Sequence, residues 1–215
     1  GQGHAAALNA CLASAARSYA NRHAVVPGRK AVVFTNNDTA YDAALDLAAA
    51  GADVGVIDAR NTISAELERA ARQAGIPLRL GYAVARANGK RHVASADVCA
   101  FDPVRGEIGA AEPRLPCDLL LVSGGWTPTL QLLGQRGVRP VYDAKRAMLI
   151  AGNLPGGYRV AGSASGELCL RQRVENGLRE GSAAAEACGF AGSPHWPSPA
   201  DALPALRAMT DIMPV

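Results

Sequence analysis

Between Lys30 and Leu80 the chain alternates short apolar runs with helical patterns, and this alternation restricts the fold more than any other feature. Lys30-Ala-Val-Val-Phe-Thr35 and Asp53-Val-Gly-Val-Ile-Asp58 are runs of strand length, apolar almost throughout, as strands buried on both faces of a parallel sheet should be. Between them, residues 40–50 carry helical spacing and stop at Gly51, placed as a glycine just past a helix end. Residues 64–74 repeat the pattern, with apolar positions Ala65, Leu67, Ala70, Ala71 and Ala74, and end at Gly75; residues 76–80 then read as a third strand. Strand, helix, strand, helix and strand within about 50 residues form the doubly wound α/β unit.

The flanks are simpler to read. Residues 5–22 are Ala-rich with Leu8, Cys11, Leu12, Ala15, Ala16 and Tyr19 near helical spacing, which predicts a helix broken by Pro27-Gly28. Residues 82–86 and 92–101 flank Asn88-Gly89, a strong hairpin signal, and 103–116 add another turn and a third antiparallel strand. Cys117-Asp-Leu-Leu-Leu-Val-Ser123 returns to a buried strand that runs into Gly124-Gly125-Trp126-Thr127-Pro128. A short helix over 130–135 follows, then a turn cluster at 152–157, a strand over 158–161, a tight loop at 162–166 and a helix over 167–188. Residues 191–215 read as an extended tail.

Composition excludes several classes of function. Of the 215 residues 49% are hydrophobic and 19% charged, enough for a sizeable core and incompatible with global disorder. The net charge is +3 and the basic residues are scattered rather than clustered, so no nucleic-acid footprint is expected. The five cysteines are odd in number and form no CxxC pair, and the four histidines lie far apart, so neither a disulfide framework nor a metal site is expected. No apolar run reaches the roughly 18–20 residues of a membrane helix, and the N-terminus lacks a secretory pattern; a reducing cytoplasm is the expected location.

The first two strands raise the question of a dinucleotide. Asp58 ends the second strand at the ~20-residue distance from the first loop at which a carboxylate grips the ribose of NAD. The loop itself, Thr35-Asn36-Asn37-Asp38-Thr39-Ala40-Tyr41, has none of the glycines that let a backbone approach a pyrophosphate. Asp38 also stands at the positive end of the coming helix, where its charge opposes a phosphate. Two readings of each acid stay open: Asp38 or Thr39 as a helix cap, and Asp58 either as a ribose ligand or as a carboxylate that caps the next helix or pairs with Arg60.

Several segments are distinctive together. Leu12-Ala-Ser-Ala-Ala-Arg-Ser-Tyr-Ala-Asn-Arg22, Arg29-Lys-Ala-Val-Val-Phe-Thr-Asn-Asn-Asp38, Tyr41-Asp-Ala-Ala-Leu-Asp-Leu-Ala-Ala-Ala-Gly51 and Val56-Ile-Asp-Ala-Arg60 resemble the α subunit of heterotetrameric sarcosine oxidase. The segments 117–128 and Val160-Ala-Gly-Ser-Ala-Ser-Gly166 extend the resemblance, in the expected order, over residues 12–190. It implies a Rossmann-like FAD/NAD(P)-binding α/β fold of the pyridine nucleotide-disulfide oxidoreductase type, with an antiparallel hairpin or meander insertion. In that family the α subunit opens with a GxGxxG domain carrying NAD, continues into an inserted second domain, returns to complete the first and ends in a folate-binding region. On this pattern 24–150 is the inserted domain with its meander at about 82–116, and 5–23 and 151–190 are the helix and return segment of the first domain. The chain is then expected to be a fragment of a longer subunit, or a family member reduced to this part.

The resemblance also implies a site. Matched motif to motif, Gly162, Ser163, Leu168 and Leu170 face the NAD of the first domain, Gly162 and Gly166 allowing close backbone approach; a plain tight turn into a helix is the alternative. Related flavin reductases carry an acid where Ser163 stands, so the neutral side chain favours NAD, or no ligand, over FAD. The implied activity is oxidative demethylation of sarcosine with tetrahydrofolate and oxygen, FAD or FMN and folate belonging to the parent complex with its other subunits. No catalytic residue is expected here, and the chain alone should be inactive and hold no dinucleotide tightly. Cys169 reads as a buried structural thiol and Trp126 as a packing anchor. The alternatives are a subunit of a related amine or amino-acid dehydrogenase, a free-standing NAD-binding module using Asp58, or a purely structural interface with an exposed apolar patch.

Overall fold

The computed structural model describes residues 9–144, 146, 148–190 and 192. The chain divides after Gly125 into two compact bodies. The first holds a five-stranded parallel sheet in the order β1-β9-β2-β3-β4: β1 (Ala10–Leu12), β9 (Leu119–Ser123), β2 (Lys30–Thr35), β3 (Asp53–Asp58) and β4 (Leu78–Leu80). Helices α1 (Ala13–His23), α2 (Thr39–Ala49) and α3 (Ala65–Gln73) connect them. A four-stranded antiparallel sheet is inserted before β9, with β5 (Tyr82–Asn88), β6 (Ser95–Asp102), β7 (Glu107–Ala111) and β8 (Leu115–Pro116). The fold expected from the alternation of the strands and helices is the one observed.

Residue alternation along the strands builds three layers. Ala31, Val33, Val54, Val56, Leu119 and Leu121 point to one core, shared with Leu47 and Tyr41 of α2 and Ala13 and Ala16 of α1. Their neighbours Val32, Ile57 and Leu120 point to the opposite face, where Val93, Ala96 and Val98 of the antiparallel insertion cover them. Both faces of the parallel sheet are therefore closed, which is why its strands read as unbroken apolar runs. The turn into β2 is pinned by Asp118, whose carboxylate accepts from the backbone N–H groups of Arg29 (3.1 Å) and Lys30 (2.8 Å). A Cβ on Gly28 would lie 2.6 Å from that of Leu119, so only glycine fits there.

Two expectations need correction, the start of the N-terminal helix and the strand over 158–161. The N-terminal helix begins at Ala13, because Ala10–Leu12 pair in parallel with β9 and complete the sheet edge; small side chains left strand and helix indistinguishable in the sequence. Residues 5–8 lie outside the described part. The hairpin expected around Asn88-Gly89 is observed as β5 and β6; Asn88 pairs with Ser95 and the connection spans 89–94, wide enough for Val93 to reach the core. Residues 158–161 join no ladder among the described residues. Helix α1 packs in the core of the first body, and residues 126–150 fall in the second. Of the expected tail, only Gly192 is described.

The second body holds α4 (Gln131–Gly134), a hairpin of β10 (Pro140–Asp143) and β11 (Met148–Ala151) that the sequence reading missed, a 3-10 turn (Gly162–Ser165) and α5 (Leu170–Ala187). Among its described apolar side chains only Pro128, Val138 and Met148 are buried. Gly166 ends the 3-10 turn at φ +85°, and a Cβ there would meet Ile150 Cγ2 at 2.8 Å, so both conformation and space require glycine.

Candidate functional site

Open α/β sheets take ligands beyond the carboxyl ends of their strands, where the strand order reverses. In the first body the loops that follow the neighbouring parallel strands β2 and β9 meet at that end of the sheet. Here the crevice is closed by the chain itself. Asn37 Nδ2 donates to the Ser123 carbonyl (2.8 Å) and to Ser123 Oγ (3.1 Å), Thr35 Oγ1 donates to the same carbonyl (3.1 Å), and Asn36 Nδ2 donates to the Gly124 carbonyl (3.3 Å). Asn37 is 1% exposed. A cofactor pyrophosphate would have to displace this network, and the loop after β2 offers it no glycine.

Asp38 does not cap α2. The carboxamide oxygen of Asn37 accepts from the Thr39 N–H (3.2 Å) and the Thr39 hydroxyl (2.6 Å), serving the helix start in its place. Asp38 instead accepts from Arg60 at 2.8 Å. The same guanidinium donates to both oxygens of Asp58 (3.1 and 2.8 Å), and the Tyr41 hydroxyl donates to Asp58 at 2.8 Å. Asp58 is 0% exposed, so a ribose hydroxyl has no path to it. Of its two readings, pairing with Arg60 is the one observed.

This network is electrostatically self-contained. Burial disfavours the charged form of Arg60, but Asp58 and Asp38 together outweigh it and raise its pKa. Burial first, and then the Asp58 carboxylate, push the Tyr41 phenol far above its ordinary value. Two carboxylates share one guanidinium, which leaves a net negative charge beside the positive end of α2. That arrangement opposes a second anion there.

The remaining expected site residues lie in the second body along one stretch. Gly162 and Ser163 form the start of the 3-10 turn, Leu168 is half-buried in the link that follows, and Leu170 is the first residue of α5. The turn is anchored by Asn176 of α5, a residue the sequence reading did not single out. Its carboxamide oxygen accepts from the Gly162 N–H (2.9 Å) and from Ser165 Oγ (3.2 Å). Arg146 reaches both Asp143 (2.7 Å) and Glu167 (3.4 Å), tying the hairpin to the link. Trp126, expected to anchor packing, is 43% exposed, and Cys169 is half-buried at the start of α5. Among the described residues no group of three or more His, Cys, Asp and Glu side chains is placed to hold a metal, and no helix is long and apolar enough to cross a membrane.

No protein-family model matches the chain. Sarcosine oxidase subunit alpha of Corynebacterium sp. (strain P-1) is 35% identical over 181 residues, covering 83% of this chain and 18% of the relative. The same subunit of Rhizobium meliloti (strain 1021) is 33% identical over 177 residues, 82% of this chain and 16% of the relative. The chain is related to sarcosine oxidase subunit alpha. It spans less than a fifth of the length of these relatives. Among solved structures, thioredoxin reductase of T. acidophilum superposes with a TM-score of 0.58 at 15% identity, over 84% of this chain and 56% of that one. L-proline dehydrogenase of P. horikoshii gives 0.51 at 17% identity, over 86% and 31%. These likenesses are of fold alone, a Rossmann-like α/β arrangement, and agree with the parallel sheet and its antiparallel insertion.

Proposed function

We propose that this chain is an architectural segment of the α subunit of a sarcosine-oxidase-like enzyme, one that oxidatively demethylates a small N-methyl amino acid with tetrahydrofolate and oxygen. The first body acts as an inserted dinucleotide-type domain whose own crevice is filled by its side chains. Residues 151–190 complete the neighbouring NAD-bearing domain, presenting Gly162, Ser163, Leu168 and Leu170 to that nucleotide. FAD or FMN and folate are held elsewhere in the complex, with other subunits as partners.

The observation that carries this reading is the contrast between the bodies. The first buries both faces of its sheet. Among its described residues the second leaves Trp126, Leu132, Val141, Tyr142, Leu149 and Phe190 exposed and buries few apolar side chains. Apolar side chains left open on this scale belong to a surface that another element covers. Residues 158–161, which join no ladder among the described residues, fit the same picture, since a strand gains its stability from pairing.

Calorimetry with NAD, on this chain and on the complete subunit, tests the proposal. The chain alone should show no micromolar binding and no sarcosine turnover, while the complete subunit should bind NAD. Micromolar binding to the isolated chain would contradict the assignment of the first body as a closed domain.

A further inference from the structure

Asn176 stands out among buried polar residues of the second body. It is 8% exposed and lies inside α5, where asparagine is a poor helix former, so its place has to be explained by what its side chain does. Both of its observed bonds fall on one atom. The carboxamide oxygen takes the Gly162 N–H, 14 residues earlier, and the Ser165 hydroxyl, 11 residues earlier. Ser165 Oγ also lies 2.7 Å from the Gly162 carbonyl, and its one proton goes to either acceptor. Gly162 is thus held at its N–H by Asn176, with Ser165 in reach of its C=O, and it sits at φ +65°, a conformation that side-chain-bearing residues rarely adopt.

We propose that Asn176 is a positioning residue that fixes the 162–166 turn in the shape that presents Ser163 to the nucleotide. This rests on the reading of the turn as nucleotide-facing given above and adds the residue that sets its geometry. The argument is one of anchoring. The 3-10 turn is only four residues long, begins with a glycine and ends at another in the left-handed region, so its own backbone gives it little rigidity. α5 spans 18 residues and supplies the rigid support. The anchor consumes the Gly162 N–H, so Ser163 is the first residue of the turn available to meet a ligand, and its side chain is exposed. A loop contact off by an ångström loses much of its binding, which is why a helix-borne anchor matters more than a further loop contact.

Because only an acceptor oxygen is used, Asn176→Asp should preserve the anchor and Asn176→Ala should remove it. Hydrogen exchange at the Gly162 amide, read by NMR on this chain, should be unchanged in Asn176→Asp and about tenfold faster in Asn176→Ala. On the complete subunit, Asn176→Ala should weaken NAD binding about tenfold, and Asn176→Asp should restore it to within about threefold. Unchanged Gly162 exchange in Asn176→Ala overturns the proposal, as does faster exchange with unchanged NAD affinity. Ser163→Trp, which blocks the exposed face of the turn, separates this from failure of the underlying reading. If Ser163→Trp abolishes NAD binding while Asn176→Ala leaves it intact, only the role of Asn176 falls; if both leave it intact, the turn does not face the nucleotide and both readings fall.

Discussion

Arg60 and Asp38, 22 residues apart in sequence, close a 2.8 Å ion pair beyond the ends of β2 and β3, and Asp58 shares the same guanidinium. The side chain of Arg60 is 5% exposed and that of Asp58 wholly buried, so neither charge can turn to water if the other is removed. Replacing Arg60 with Met should destabilise the chain by about 3–5 kcal/mol, mostly through the uncompensated Asp58. Asp38 is more exposed, and Asp38→Asn should cost no more than about 1 kcal/mol. Urea denaturation of both variants checks this; an unchanged midpoint for Arg60→Met would mean that the network contributes nothing.

Asp58 itself separates a ligand role from a structural one. Asp58→Asn keeps an acceptor for the Tyr41 hydroxyl but weakens the pairing with Arg60, for an expected loss of about 1–3 kcal/mol. NAD affinity of the complete subunit should not change. A loss of NAD binding without a loss of stability would restore Asp58 as a ribose ligand.

The strands and helices of the first body were legible because their residues answer to strong local constraints. Val32, Val33, Val56 and Leu121 are buried on one or other face of the sheet, and Gly51 and Gly75 stop helices at positive φ. What stayed hidden depends on distant partners. Ala10–Leu12 became a strand only because β9 offers an edge, and the 140–151 hairpin has exposed side chains that carry no burial pattern. At the site, Asp58 and Arg60 could be paired on sequence proximity. The role of Asn37 as the cap of α2 could not be read, since three adjacent polar residues offered the same chemistry, and nothing in a helix sequence marks Asn176 as the anchor of a turn 14 residues away.

The cysteines give a pH-dependent prediction. Burial, and then the neighbouring Asp118, push the Cys117 thiol up to about 11, and burial raises Cys11 as well. Cys188 is exposed. Alkylation at pH 8 should therefore modify Cys188 first, with Cys117 slower by a factor of about 100 until the chain unfolds. The folded state holds the Cys117 proton to higher pH than the unfolded chain, so stability is retained below the ordinary thiol pKa and falls as pH rises through about 9 to 11. The expected loss is on the order of 1–2 kcal/mol. Denaturation midpoints that stay constant across that range would contradict the shift.

The hairpin of the second body offers the sharpest test of what covers it. Tyr142 and Leu149 sit opposite each other in the register, on the side of the hairpin away from Met148 and Ile150, whose side chains meet Gly166. Both are exposed, so converting them to serine should change the stability of this chain by no more than about 0.5 kcal/mol. In the complete subunit the same pair should be covered, and the double substitution should then cost about 1.5–3 kcal/mol for each side chain. Leu47→Ala, in the closed core of the first body, should cost about 2–5 kcal/mol in either context and serves as the internal reference. Thermal unfolding of the three variants, as isolated chain and as complete subunit, provides the comparison. Equal small effects of the serine pair in both contexts would show that this face stays open to solvent, and the exposed apolar side chains described in the second body would then need another explanation.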